Sequence, residues 1–169
     1  MTLIVCPLHE VEAQLHRWRP SHVISLSSPG SEQAVIPSDV ERLSLIFHDI
    51  PEPRPGLQAA SPAQIDRLIA FARNWPQDRP MLIQCWAGVS RSPAAAYAVA
   101  CALGPERKEA SLAQALRHAA PFATPNPRLV ALADRTLGRK GRMIDAIRAI
   151  GRGAETSLGS MFEMAPRSS

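Results

Sequence analysis

The chain has 169 residues, which suggests a single domain large enough to bury a hydrophobic core, and its three scattered cysteines form no disulfide framework. The N-terminus lacks the basic region and cleavage site of a signal peptide, and the longest apolar run, residues 94–103, is too short to span a bilayer, so we expect a cytoplasmic protein with no membrane partner. The net charge of +4 suits an anionic substrate, and the spread of the basic residues does not indicate nucleic-acid binding.

Short apolar segments typical of buried β-strands occur at residues 3–6, 22–26, 43–47 and 81–85. Helical patterns follow them at residues 7–17, 61–74, 93–103, 111–119, 128–137 and 143–150. This alternation predicts an α/β domain with a mostly parallel central sheet of four or five strands flanked by helices. We expect the helices after about residue 108 to pack on one side of that sheet.

Several local signals add detail to the predicted fold. Ser61 followed by Pro62 predicts a capped helix start. Cys6, at a strand end, and Cys101, in an apolar helix, are interpreted as packed core residues. Residues 1–150 are predicted to form the domain, and residues 151–169 a polar tail that is either mobile or weakly docked.

The segment CWAGVSRS, residues 85–92, links the fourth predicted strand to an alanine-rich helix. A loop wound at a helix N-terminus points backbone N–H groups into one concavity, where the helix dipole adds partial positive charge. Residues 86–91 contain no proline, so each amide can donate, and Gly88 permits backbone angles that other residues resist. The planar guanidinium of Arg91 matches two phosphate oxygens. The pattern predicts an anion cradle formed by Trp86, Ala87, Gly88, Val89, Ser90 and Arg91.

Cys85 begins this loop at the carboxyl end of a strand, where open α/β sheets bind their ligands. Helix N-termini and nearby cations favour the thiolate form of cysteine, so we expect Cys85 to be ionised at neutral pH. A thiolate beside a bound phosphoryl group is placed for in-line attack on phosphorus. The alternative is a buried structural cysteine and a surface arginine that share this spacing by coincidence.

The segment 85–92 resembles the Cys-x5-Arg-Ser/Thr signature of the protein tyrosine and dual-specificity phosphatases. The closest resemblance is to small tyrosine-phosphatase-like proteins of alphaproteobacteria, and it extends over most of residues 3–150. It implies a three-layer phosphatase-type fold and a reaction that uses no metal and no other cofactor. This chain has Gln84 where the family usually has a histidine, which bears on how strongly the thiolate is favoured.

The resemblance also implies a general acid on a loop after a strand, and the matching position is Asp49. This carboxyl group would protonate the leaving oxygen and later accept a proton from the attacking water. Glu52 is the next candidate and His48 the third. Otherwise Asp49 only begins a turn.

Three more positions receive roles from the resemblance or from their place in the loop. The Ser92 hydroxyl would stabilise the departing thiolate, or it caps the helix. Asn126, in the turn TPNPRL, would brace the phosphate loop through a side-chain hydrogen bond, or it caps the following helix. Trp86 either shapes the pocket wall or packs beneath the loop, and we favour packing.

These features predict a cysteine-dependent phosphomonoester hydrolase, a tyrosine or dual-specificity phosphatase that acts through a cysteinyl-phosphate. Its partner would be a phosphotyrosine-containing protein or a small phosphomonoester, and inorganic phosphate or sulfate would also fit the loop. The absence of lysine between Cys85 and Arg91 disfavours phosphoinositides. The alternatives are a phosphotyrosine-binding pseudophosphatase and a rhodanese-like or arsenate-reductase-like thiol enzyme, the last of which needs resolving thiols.

Overall fold

A five-stranded sheet forms the centre of the computed structural model, which describes residues 2–166. Its strands are β1 (Leu3–Pro7), β2 (His22–Ser27), β3 (Glu41–Ile46), β4 (Met81–Cys85) and β5 (Phe162–Met164). They lie in the order β3-β2-β4-β1-β5, and every neighbouring pair is parallel except β1 with β5. The predicted α/β fold with a mostly parallel sheet is therefore confirmed.

Six α-helices cover the two faces of this sheet in the described chain. They are α1 (Val11–Trp18), α2 (Pro62–Asn74), α3 (Arg91–Leu103), α4 (Glu109–Ala119), α5 (Pro127–Thr136) and α6 (Arg142–Ile150). None of the helices within residues 2–166 is both long and apolar enough to cross a bilayer.

The start of α1 differs from the predicted helix at residues 7–17. Pro7 ends strand β1 with φ −71° and ψ 162°, and a 3-10 turn at Leu8–Glu10 precedes the α-helix. The fixed φ of proline is compatible with extended backbone as well as with a first helical turn. The prediction that Pro7 begins the helix was therefore wrong.

Two hydrophobic clusters lie on opposite faces of the sheet, because successive strand residues point to opposite sides. Ile4, Cys6 and Leu82 face α1, and the remaining helices cover the other face, where Val5 and Ile83 lie. Helices α4 to α6 belong to this larger layer, as predicted.

Helix α3 is the central helix of the larger layer, and all thirteen of its residues are buried. It begins at Arg91, two residues before the predicted start at Pro93. The N–H of Arg91 therefore lies in the first turn, among the amides that have no intrahelical acceptor.

The C-terminal segment is docked on the domain over its described part. Residues 162–164 form β5, which pairs antiparallel with β1 in the register Leu3 with Met164 and Val5 with Phe162. The division of the chain at residue 150 stays a prediction.

Candidate active site

The carbonyl groups of the loop between β4 and α3 are held by the surrounding chain. Four of them accept backbone hydrogen bonds: Trp86 from Leu8 (3.2 Å), Ala87 from Gly159 (2.8 Å), Val89 from Thr124 (2.8 Å) and Ser90 from Asn126 (3.2 Å). The N–H of a trans peptide bond points opposite to its C=O, so the amides of residues 87, 88, 90 and 91 point away from these segments. Within residues 2–166, no backbone N–H of residues 86–91 has a protein acceptor. The loop therefore presents free donors on its inner side, as an anion cradle requires.

Gly88 is the one position of this loop that excludes a side chain on two grounds. Its φ of +71° lies in the left-handed region, which other residues rarely adopt. A Cβ at this position would also lie 2.9 Å from the backbone nitrogen of Pro7, at the end of β1. The tight winding of the loop therefore depends on glycine here.

Cys85 ends β4, and its Sγ lies 3.1 Å from the hydroxyl oxygen of Ser92. Both side chains are buried. Ser92 is the second residue of α3 and not its N-cap, so its hydroxyl is directed to the sulfur atom and does not cap the helix. A hydroxyl in this position can donate to a thiolate and stabilise it.

Arg91 is a buried cation that has no carboxylate partner among the described residues. It is only 5% exposed, and its Nη1 donates to the carbonyl of Phe47 (2.8 Å) and the hydroxyl of Ser28 (3.1 Å). Its Nε is buried without an acceptor. Both acceptors are neutral, and both bind Nη1. The edge of the guanidinium that carries Nε therefore remains free for an anion. Burying a charge and a donor in this way is costly unless a ligand pairs with them.

Asp49 lies on the loop that follows β3, and its carboxylate is attached to the cradle. Its Oδ1 accepts hydrogen bonds from the Ser90 hydroxyl (2.8 Å) and from Asn126 Nδ2 (2.7 Å). No described residue donates to Oδ2, and the residue is exposed. The geometry thus fixes one carboxylate oxygen and leaves the other available for proton transfer.

Asn126 connects three parts of the site. Its side-chain oxygen accepts from the N–H of Leu129 (3.0 Å) and caps α5, while Nδ2 donates to Asp49 and to the carbonyl of Ile50 (3.3 Å). Its backbone N–H donates to the carbonyl of Ser90, and this hydrogen bond links Asn126 to the cradle. The side chain therefore braces the Asp49 loop, and the backbone braces the cradle.

The other two candidates for the general acid make no hydrogen bond to the cradle. His48 Nδ1 accepts from the N–H of Gln58 (2.9 Å), and the backbone N–H of His48 donates to the carbonyl of Gln58 (2.7 Å), so His48 closes the loop that carries Asp49. Glu52 is exposed and forms no ion pair or hydrogen bond within the described chain. Of the three, only Asp49 is attached to the cradle.

Trp86 does not pack beneath the loop. Its side chain is 59% exposed and lines a groove beside the cradle. The favoured interpretation from the sequence, packing beneath the loop, was therefore wrong, and a role in the wall of the substrate pocket stays a prediction. The carbonyl of Trp86 accepts from the N–H of Leu8, and this bond ties its backbone to the turn after β1.

The two remaining cysteines are core residues that stay protonated at neutral pH. Burial raises the pKa of Cys6 to about 12, with the Glu10 carboxylate contributing, and it also raises the pKa of Cys101 to about 12. Cys6 and Cys85 project from opposite faces of the sheet. Neither Cys6 nor Cys101 is placed to resolve a bond formed at Cys85.

We expect iodoacetamide at neutral pH to alkylate Cys85 alone in the native protein. A thiol with a pKa of about 12 is ionised in roughly one molecule in 10⁵ at pH 7, and the thiolate is the reactive form. Peptide mapping by mass spectrometry measures the labelled sites, and inorganic phosphate should slow the labelling of Cys85. Urea-unfolded protein, in which all three cysteines react, is the control. Native labelling at Cys6 or Cys101 would contradict the expectation.

Sequence reasoning missed Ser28, Thr124 and Gly159, which hold Arg91 or the cradle. Ser28 follows the carboxyl end of β2, the neighbour of β4, so strand adjacency would have indicated it once the sheet order was known. Gly159 lies so close to the ring of Phe122 that a Cβ would be 2.5 Å from it. Nothing in the local sequence indicates that contact.

The five-stranded sheet with this helical arrangement is the fold of the dual-specificity phosphatases. DUSP15 superposes with a TM-score of 0.60 at 20% identity, covering 91% of this chain and 94% of that one. Human DUSP28 gives 0.57 at 21% identity (87% and 94% covered), and PTPMT1 gives 0.60 at 16% identity (87% and 94% covered). No family model matches the sequence, and no curated protein matches it. These similarities define the fold, and the site must carry the chemistry.

Proposed function

We propose that this chain is a cysteine-dependent phosphomonoester hydrolase, a protein tyrosine or dual-specificity phosphatase. The observation that carries the proposal is the buried guanidinium of Arg91, whose Nε has no partner, in a loop whose backbone amides are also free. A phosphate dianion would pair with all of these donors at once. The fold shared with dual-specificity phosphatases supports the same function.

The first step transfers the phosphoryl group to sulfur. The phosphate binds through the amides of residues 86–91 and the free edge of Arg91, and Cys85 Sγ attacks phosphorus. As the S–P bond forms, the bond from phosphorus to the leaving oxygen breaks, and Asp49 gives its proton to that oxygen. The fixed donors stabilise the charge on the three equatorial oxygens in the transition state.

The second step releases phosphate. Water attacks the cysteinyl-phosphate, Asp49 accepts a proton from it, and the P–S bond breaks. The Ser92 hydroxyl, 3.1 Å from Sγ, donates to the thiolate that leaves. The bonds from Ser90 and Asn126 to Oδ1 hold Asp49 in place through both proton transfers.

A trapped intermediate tests this mechanism. Acid quenching during turnover of a phosphorus-32-labelled aryl phosphate should leave label on the Cys85 peptide, and a rapid-mixing experiment should give a burst of phenol no larger than the enzyme concentration. The Cys85→Ser variant is the control and should retain no label. Turnover with label on another residue would contradict the proposal.

The charge of the cradle bears on the substrate class. A neighbour with the same fold, PTPMT1, has been solved in complex with PI(5)P. The cradle of this chain offers a single cationic side chain, Arg91, and a tryptophan at its rim. We therefore propose phosphotyrosine or a small aryl or alkyl phosphate as the substrate. A cytoplasmic location and a kinship with the small alphaproteobacterial proteins also stay predictions.

The Asp49→Asn variant should lower kcat for phosphotyrosyl peptides by about 10²–10⁴-fold, the usual contribution of a general acid. Asparagine keeps an oxygen for the bonds from Ser90 and Asn126, but its amide has no acidic proton for the leaving oxygen. The loss should be much smaller for esters of strongly acidic phenols, whose leaving group needs little protonation. The alkaline limb of the pH–rate profile should flatten, because the wild-type enzyme loses activity there when the acid deprotonates.

The matched control is Glu52→Gln, which makes the same chemical change on an exposed carboxylate of the same loop. We expect its kcat and pH profile to stay within about a factor of two of the wild type, as surface substitutions usually do. If Glu52→Gln rather than Asp49→Asn removes the alkaline limb, the acid is Glu52.

A further inference from the structure

A groove with a volume of about 830 Å³ opens beside the cradle. One wall is α1 and the turn before it, the other is the segment 32–37, and Trp86 and Leu158 close the end next to the cradle. Eight of its thirteen lining residues are apolar, among them Leu8, Val11, Leu15, Val35, Trp86 and Leu158, and the polar ones include Glu12 and Glu32. Because Trp86 belongs to both the cradle and the groove, a group bound in one can continue directly into the other.

Exposed apolar surface is concentrated at this groove. Val35 is 90% exposed, Trp86 59% and Leu158 45%, and they are three of the five large hydrophobic residues that are exposed in the described chain. Single exposed apolar residues are normal, but a cluster around a concave surface marks a binding site. The tail supplies one of the three, so its docking completes the groove.

The segment 32–36 adds free backbone groups to the apolar wall. Within the described chain, no backbone N–H or carbonyl of residues 32–36 takes part in a hydrogen bond. Ala34 and Ile36 pack into the α1 layer, whereas Val35 between them is exposed, which is the alternation of a strand. An unpaired strand-like segment is a template to which an extended peptide can add.

We infer that this groove binds an extended apolar peptide segment next to the phosphotyrosine of a protein substrate. The inference rests on the proposed function, since the phosphate in the cradle sets the position of the peptide. Peptide amides and carbonyls would pair with the free backbone of residues 32–36, and alternate side chains would enter the groove. An alkyl chain could use the apolar walls, but it offers nothing to the unpaired backbone groups, so a peptide fits the groove better.

The test uses two phosphotyrosyl peptides that differ only in flanking residues, one with leucine and valine and the other with serine and glycine, together with a small aryl phosphate. We expect kcat/KM to be at least about tenfold higher for the apolar peptide, since burying one or two aliphatic side chains accounts for that factor. Val35→Asp should remove most of this preference. Ile46→Asp, which changes an exposed apolar residue outside the groove, should keep it.

Binding to the Cys85→Ser variant, measured by fluorescence polarisation of the same labelled peptides, gives a readout that does not depend on turnover. The same tenfold preference, lost in the Cys85→Ser/Val35→Asp double variant, supports the inference. Equal binding of the two peptides overturns it, as does a preference for long-chain alkyl phosphates over both. A dimer in solution that Val35→Asp dissociates would assign the groove to a second copy and also overturn it. Absence of turnover and of trapped phosphoenzyme with every substrate would instead count against the proposed function.

Discussion

Replacing Cys85 by serine should lower kcat by roughly 10⁶-fold, the size of loss that follows removal of the nucleophile from another covalent enzyme. A serine hydroxyl is a poor nucleophile without an adjacent base, and within residues 2–166 the Ser92 hydroxyl is the only side chain in hydrogen-bond contact with Cys85. The free amides and Arg91 are unchanged, so affinity for inorganic phosphate should stay within a few-fold of the wild type. Steady-state kinetics and isothermal titration with phosphate measure the two quantities.

The matched control is Cys6→Ala, which removes a buried thiol from the adjacent strand but on the opposite face of the sheet. Its turnover should be retained, and any change should appear in thermal stability. Phosphatase activity in Cys85→Ser above about 1% of the wild type would rule out sulfur as the nucleophile, because the expected loss is far larger. Loss of phosphate binding in the same variant would mean that the cradle had collapsed, and the kinetic result would then need a second variant, Cys85→Ala.

The layered α/β fold could be predicted because its signals are local and consistent with one another. β1 and β4 are short apolar runs, β2 and β3 contain shorter apolar segments, and Ser61 with Gln64 forms the capping box that starts α2. Cys85 at the end of β4, Gly88 and Arg91 indicate the loop from the sequence alone. A fold can be predicted from sequence when secondary-structure propensity, hydrophobic pattern and helix capping agree.

The tail could not be predicted in the same way, because its strand has only three residues. Phe162–Met164 gives one alternation of buried and exposed residues, which is too short to be distinguished from irregular chain. Pairing with β1 stabilises it, and that partner lies almost the full length of the chain away. The N–H of Gly159 donates to the carbonyl of Ala87 in the cradle, which is also distant in the sequence. The contact of the tail with the site therefore depends on the tertiary structure.

In the candidate site too, some features follow from neighbouring residues, whereas others depend on residues that are distant in the sequence. The loop itself and the capping role of Asn126 follow from neighbouring residues. The acceptors that orient Arg91 directly follow β2 and β3, 63 residues away for Ser28 and 44 for Phe47, and of these two strands β2 is the neighbour of β4. The link from Ser90 to Asp49 spans 41 residues. Because sequence alone does not give the order of parallel strands, the partners of Arg91 needed the structure.

Replacing Arg91 by lysine should lower kcat/KM by about 10³-fold, the upper range for removal of one charge-stabilising donor group. Lysine keeps the charge but has a single compact ammonium group, which cannot bind Phe47 O and Ser28 Oγ on one edge and a phosphate on the other. Phosphate affinity should fall together with kcat, in contrast to Cys85→Ser, because in the proposed mechanism the arginine binds the ground state as well as the transition state. Kinetics and phosphate titration on the same protein sample measure both effects.

Ser28→Ala separates the positioning of the guanidinium from its charge. It removes one of the two Nη1 acceptors and leaves Arg91 intact, so the loss should be that of one hydrogen bond, about tenfold or less in kcat/KM. The pH–rate profile should be unchanged, since no titrating group is altered. If Arg91→Lys behaves like Ser28→Ala, the arginine serves mainly to join β2, β3 and α3. If it shows the full 10³-fold loss with an unchanged melting temperature, the free edge of the guanidinium acts on the bound phosphate.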